Sequence, residues 1–191
     1  DKIDMPNKIL IFGRLDPVKG HERFFQIFRE FRKLNPESTC RLLVFGREEN
    51  ISFEDLEELA AKNEISDYVS FKSGTIENLS NELASVDIGV VSSLGSEIIC
   101  RVAHEFLMCG TKVLVSGAGA TNEVLKDKIF GASYKNCSDQ KAAEQLDVLL
   151  SETETVETKL ARSKKAREYF SLQSMSSELE LFLEDLSIFG A

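Results

Sequence analysis

This 191-residue sequence is short of cations relative to acids, has no long apolar run and has no closely paired cysteines. Its 23 Lys and Arg stand against 32 Asp and Glu, a formal net charge of −9. That balance argues against nonspecific nucleic-acid binding, which needs a surplus of Lys and Arg to displace counterions. It argues equally against stand-alone binding to anionic lipid. No apolar run approaches the ~18 to 20 residues that cross a bilayer, and the start, Asp1-Lys-Ile-Asp-Met-Pro6, carries no signal-peptide apolar segment. These absences predict a soluble, cytoplasmic chain. Cys40, Cys100, Cys109 and Cys137 form no C-x-x-C pair, so they read as reduced thiols, mostly buried small hydrophobes. Cys100 and His104 share a helix face at i and i+4, but two ligands fall short of a closed zinc site.

What is present is a core and an alternation. Apolar residues make up 42% of the chain, with 13 Phe and no Trp, enough to bury one domain at this length. Residues 1–7 are polar, contain Pro6 and read as a linker; residues 8–191 read as the domain. The spacing predicts strands at Lys8–Gly13, Arg41–Gly46, Tyr68–Lys72, Asp87–Val91, Lys112–Val115 and Ile129–Ser133. It predicts helices at Glu22–Leu34, Phe53–Lys62, Glu77–Ala84, Ile99–Met108, Thr121–Lys126, Asp139–Leu150, Thr155–Tyr169 and Met175–Leu186. Short apolar strands alternating with helices imply a parallel sheet covered on both faces. The fold expected is α/β, a Rossmann-like doubly wound six-stranded sheet of order 3-2-1-4-5-6 with extra C-terminal helices. Between Ser151 and Arg167 the acids Glu152, Glu154 and Glu157 precede Lys159, Arg162, Lys164, Lys165 and Arg167, an order that suits a helix dipole.

Ligands of such sheets bind at the carboxyl ends of the strands, so the loops there hold the candidates. The first runs Gly13-Arg-Leu-Asp-Pro-Val-Lys-Gly20. Its glycine permits a tight turn, and Arg14 and Lys19 are cations able to hold a phosphate, one as a planar fork and one as a point charge. An ordinary polar loop with two solvated cations explains the same residues, and the loop alone does not decide. The second, Ser92-Ser-Leu-Gly-Ser-Glu97, leads into a helix whose N–H groups suit an anion. Glu97 and Glu105 lie eight residues apart, about 12 Å if the stretch is helical throughout. Each carboxylate could accept hydrogen bonds from the vicinal hydroxyls of one ring; equally, Glu97 could be a helix-start acid and Glu105 a solvated one. His21 reads as a helix-start residue rather than a catalytic base. No Walker loop, H-E-x-x-H or G-x-S-x-G occurs.

G-R-L-x-P-x-K-G after the first strand, then Glu97 with Glu105 as E-x7-E, then Gly117-Ala-Gly119-Ala-Thr-Asn-Glu123 as G-x-G-x-x-x-E follow in order. Leu42-Leu-Val-Phe-Gly46 and Val69-x-Phe71-x-x-Gly74 fall between them. This combination resembles the C-terminal, donor-binding domain of GT-B-fold retaining glycosyltransferases of family 4. The resemblance implies transfer of a sugar, with retention, from a nucleoside-diphosphate sugar to a glycan or lipid-linked acceptor, without a metal or other cofactor. It implies that Arg14 and Lys19 neutralise the leaving diphosphate, that Glu97 binds donor-sugar hydroxyls and Glu105 the ribose. Gly13 would belong to the donor site, the amides of Ile99, Cys100 and Arg101 would meet the phosphates, and Gly46 and Ser73 would border the base. Ile99-Cys100 replaces the family's frequent Phe-Gly, and Arg101 stands where an apolar residue is commoner.

The resemblance also implies an N-terminal acceptor domain that this chain does not contain, through which any peripheral membrane contact would be made. Leu179, Phe182, Leu183, Leu186 and Phe189 are then expected to be partly uncovered, with self-association or a loose C-terminal end as the result. A nucleotide-sugar epimerase on the same fold and a non-catalytic GT-B-like interaction module are the rival readings.

Overall fold

In the computed structural model, residues 7–74, 78–95, 97–171, 173–174, 176–177 and 180 are described. The expected linker, apart from residue 7, and most of the expected helix Met175–Leu186, with its uncovered apolar residues, lie outside them. The sheet strands are β1 Lys8–Leu15, β2 Arg41–Glu48, β3 Val69–Ser73, β4 Ile88–Val91, β5 Lys112–Val115 and β6 Gly131–Ser133. The helices are α1 His21–Leu34, α2 Phe53–Lys62, α3 Leu79–Ala84, α4 Arg101–Met108, α5 Asp139–Ser151 and α6 Val156–Phe170. All six strands pair in parallel, in the order β3-β2-β1-β4-β5-β6. That is the doubly wound order expected from the alternation.

Two apolar layers form because successive strand side chains point to opposite faces. Ile9, Ile11, Leu42, Val44, Ile88, Val90 and Leu114 pack under Phe24, Phe25, Phe28 and Phe31 of α1 and Ala142, Ala143 and Leu146 of α5. Leu10, Phe45, Val91, Val113 and Val115 pack on the other face against Leu83 of α3, Ala103, Phe106 and Leu107 of α4 and Ala166 of α6. A strand buried on both faces has no polar alternation to show, which is why these segments read as continuous apolar runs. Deleting one of these large side chains removes ~2–5 kcal/mol of stability.

Several boundaries differ from the sequence expectation, each for a local reason. β1 and β2 run two residues past their glycines because Gly13 and Gly46 lie side by side in register and pairing continues to Leu15 and Glu48. β6 starts at Gly131, since Lys128–Phe130 forms a 3-10 turn whose start Asp127 caps through the Ile129 N–H. Thr121–Lys126 is no α-helix; Gly119–Val124 is a 3-10 helix. α4 begins at Arg101, not Ile99, with Cys100 as an N-cap that offers no side-chain hydrogen bond.

The charge order of α6 reflects more than its dipole. Arg162 is only 4% exposed and grips Glu154 through two nitrogens, at 2.7 and 3.1 Å. Lys112, at the start of β5, is 2% exposed and lies 3.1 Å from the same carboxylate. The triad fastens α6 to the sheet.

Candidate functional site

The residues that end β1 and β4 meet at the carboxyl edge of the sheet, around a cavity of about 140 Å³ lined by Arg14, Lys19, His21, Ser93, Glu97 and Cys100 among others. Asp16 shapes the first loop: its carboxylate accepts from the Val18 N–H at 2.9 Å and from Asn50 Nδ2 at 2.6 Å. These bonds, the Val18 N–H first, hold its carboxyl below the usual carboxylate range. Gly20 then turns the chain with φ +67, and a Cβ there would sit 2.1 Å from the Ser92 carbonyl oxygen. Only glycine lets this loop close so tightly on the end of β4. The Leu94 N–H donates to the Val18 carbonyl at 2.7 Å, and Ser92 Oγ donates to the Lys19 carbonyl at 2.6 Å.

The loop after β4 is fixed from the other side. The Ala120 N–H donates to the Glu97 carbonyl at 2.8 Å, and Gly119, at φ +55, packs so that a Cβ would lie 2.3 Å from that oxygen. The Glu97 carboxylate is thereby brought to Lys19, whose Nζ donates to Oε1 at 2.5 Å. Ser93 Oγ donates to the same oxygen at 2.6 Å. The Glu97 side chain is 10% exposed and that of Lys19 29%. Arg14 borders the cavity but its guanidinium donates outward to Glu49 at 2.7 Å.

The Glu97–Glu105 span estimated from helical rise does not apply, because Glu97 precedes α4 and the segment between them is not helical throughout. Glu105 lies in an adjoining groove of about 440 Å³ with Ile98, His104 and Glu123. It is half-buried there, and desolvation pushes its carboxyl up despite the Arg101 charge. Ile99, Cys100 and Arg101 line both depressions. The Arg101 N–H is turned onto the Ile99 carbonyl at 3.0 Å; among the described residues the Cys100 and Val102 N–H groups have no protein acceptor. Gly13, Gly46 and Ser73 fall in one row across β1, β2 and β3.

Two residues matter more than the sequence suggested. His21, the first residue of α1, is 2% exposed, and burial, followed by the Lys19 charge, lowers its pKa to about 4. It is a neutral wall of the cavity, and its Nδ1 has no partner among the described residues. Ser93 carried no assignment, although its place directly after the last buried residues of β4 was the signal that could have found it. Cys40 and Cys100 are buried and Cys109 and Cys137 half-buried, all free. Among the described residues no three His, Cys, Asp or Glu side chains converge as metal ligands, and no helix is long and apolar enough to cross a membrane.

A six-stranded parallel sheet of this order, with the Lys19–Glu97 pair at its carboxyl edge, defines the class of doubly wound α/β domains. Residues 1–169 match the family described as glycosyl transferases group 1, and the chain belongs to that family. It is 29% identical over 129 residues to the lipopolysaccharide 1,2-N-acetylglucosaminetransferase of Salmonella typhimurium, covering 64% of this chain and 33% of that protein. Among solved structures it resembles the C-terminal domain of the group 1 glycosyl transferase LpcC from Francisella tularensis, with TM-score 0.63, 23% identity and coverage of 90% and 87%. It also resembles HepE of Anabaena in complex with UDP, with TM-score 0.75, 17% identity and coverage of 94% and 49%. The chain spans about a third of the length of the curated relatives it matches.

Proposed function

We propose that this chain is the donor-binding half of a retaining glycosyltransferase that moves a sugar from a nucleoside-diphosphate sugar to a glycan or lipid-linked acceptor. The observation that carries the reading is the convergence of Lys19 and Glu97 in one cavity with the amino end of α4. In the reaction, the bond from the anomeric carbon to the diphosphate oxygen breaks with its electron pair left on the diphosphate. The acceptor hydroxyl forms the new bond and passes its proton to the departing diphosphate oxygen. Charge therefore grows on the diphosphate in the transition state, and fixed cations stabilise it there more than in the ground state.

Lys19 supplies one such cation and Arg14, once it leaves Glu49, the second, so the proposed transfer needs no metal. The Cys100 and Val102 N–H groups, without a protein acceptor among the described residues, add donors beside them. Glu97 accepts from hydroxyls of the transferred sugar, and Glu105 from the ribose. The row Gly13, Gly46 and Ser73 forms the shelf toward the base, where two of the three positions carry no side chain. The acceptor is bound by a separate N-terminal domain joined through residues 1–7, which also makes any contact with a membrane surface, and the enzyme works in the cytoplasm. The cell-envelope acceptor is supported by the printed activity of the Salmonella relative.

Titrating the chain with UDP-, GDP- and ADP-sugars while following its amide spectrum tests the donor site. One of them is expected to shift Gly13, Lys19, Ser93 and Glu97, and Lys19→Ala to weaken it about 10- to 100-fold, the worth of one charge-assisted hydrogen bond. Three silent titrations at millimolar concentration would refute the reading.

A further inference from the structure

Lys19 carries one positive charge, and a diphosphate would have to draw on the charge that already pairs with Glu97 at 2.5 Å. The carboxylate is nearly out of solvent, and its other donor among the described residues is Ser93 Oγ at 2.6 Å. Arg14 is likewise committed, to Glu49. We infer that Glu97 is an internal competitor of the donor diphosphate for Lys19, so that the site favours a sugar-bearing nucleotide over the sugar-free one. The inference rests on the proposed donor site and adds to it a partner exchange.

The asymmetry follows from what each ligand leaves behind. A diphosphate without a sugar takes Lys19 and strands a buried carboxylate on one hydroxyl, next to incoming negative charge. Stranding a buried charged group is the costly half of breaking such a pair. A diphosphate that carries a sugar brings hydroxyl donors to the oxygen that Lys19 vacates, and both charges end the exchange paired. After transfer the hydroxyls depart with the product, Glu97 reclaims Lys19, and the spent nucleotide is released. Ser93 is the positioning residue that keeps the carboxylate in place through the exchange.

Inorganic pyrophosphate is the suitable probe, because it carries the contested charge and neither base nor sugar. Calorimetric titration of the whole chain would compare the unaltered protein with Glu97→Gln, Lys19→Ala and the double variant. Glu97→Gln keeps the side chain's shape and should bind pyrophosphate about tenfold more tightly, the effect of freeing one charge-assisted donor. Glu97→Ala should shift binding in the same direction if the amide variant does not fold. In the Lys19→Ala background the gain should vanish, which a double-mutant cycle reads directly.

An equal gain in both backgrounds would mean simple charge repulsion and overturn the exchange. No gain from Glu97→Gln, with Lys19→Ala still weakening the probe, would overturn the exchange and leave the donor site standing. Pyrophosphate binding indifferent to Lys19 would overturn both. A measurable, Lys19-dependent complex in Glu97→Gln beside one too weak to measure in the unaltered protein supports the inference.

Discussion

Replacing Glu154 by Gln tests whether the buried triad holds α6 on the sheet. The substitution keeps the shape of the side chain but leaves Arg162 and Lys112, 4% and 2% exposed, without their shared counter-charge. Arg162 retains the Gly110 and Ile129 carbonyls, and Lys112 the Leu149 carbonyl and the outer carboxylate of Glu152. Removing one partner of a buried pair costs ~3–5 kcal/mol, and these surviving bonds place the loss near ~3 kcal/mol. For a domain of this size each kcal/mol moves the midpoint by ~2–4 °C, so Tm should fall by about 6–12 °C. Burial pushes the Glu154 carboxyl up, but the hydrogen bonds and charge of Arg162, then of Lys112, outweigh it and hold the carboxyl below its ordinary value. A depressed carboxylate pKa stabilises the fold above the ordinary carboxylate range and loses that stability as pH falls through the folded value. Thermal unfolding followed by circular dichroism should therefore show the two proteins well apart at neutral pH and converging in acid. A Tm within about 2 °C of the unaltered chain at neutral pH would refute the triad's role.

Two further outcomes are expected. The His21 imidazole should titrate near pH 4 in a histidine-selective NMR experiment. Because the unfolded chain then binds more protons than the folded one between about 4 and 6.5, the His21 contribution to stability should fall as pH drops through that window, and a normal midpoint would show the ring to be solvated. Gly20→Ala should cost ~1–3 kcal/mol from strain at positive φ alone and lift the Lys19 loop off Ser92, seen as loss of pyrophosphate binding together with a lower Tm. Retention of both would mean that the loop closes in another way.

The architecture was legible because its signals are local and redundant. Runs such as Ile9–Ile11 and Val113–Val115 are apolar on both faces, and only a covered parallel sheet uses such runs in alternation with helices. The order of the strands followed from that pattern, and residues of the Gly13–Gly20 loop and Glu97 line one cavity at the sheet's carboxyl edge. What the sequence hid was pairwise. Nothing in the spacing of Lys19 and Glu97, 78 residues apart, says that they touch. Arg162 read as one of several basic residues whose order suits a helix dipole, whereas in the fold Lys112 and Glu154 close on it from other segments. The start of α4 was misplaced for a related reason: Ile99 opens an apolar stretch, yet it is 66% exposed on a loop pinned through the Glu97 carbonyl. The apolar spacing yields there to a hydrogen bond made with another element.

Both main-chain carbonyls flanking the site are anchored, that of Lys19 by the Ser92 hydroxyl and that of Glu97 by the Ala120 amide. The ammonium can thus change partners by rotating about its own side-chain bonds while the carboxylate and the scaffold stand still. Such rotations in an accessible side chain run on picosecond-to-nanosecond scales, so the exchange would keep pace with any encounter that diffusion delivers, and no moving flap has to time it.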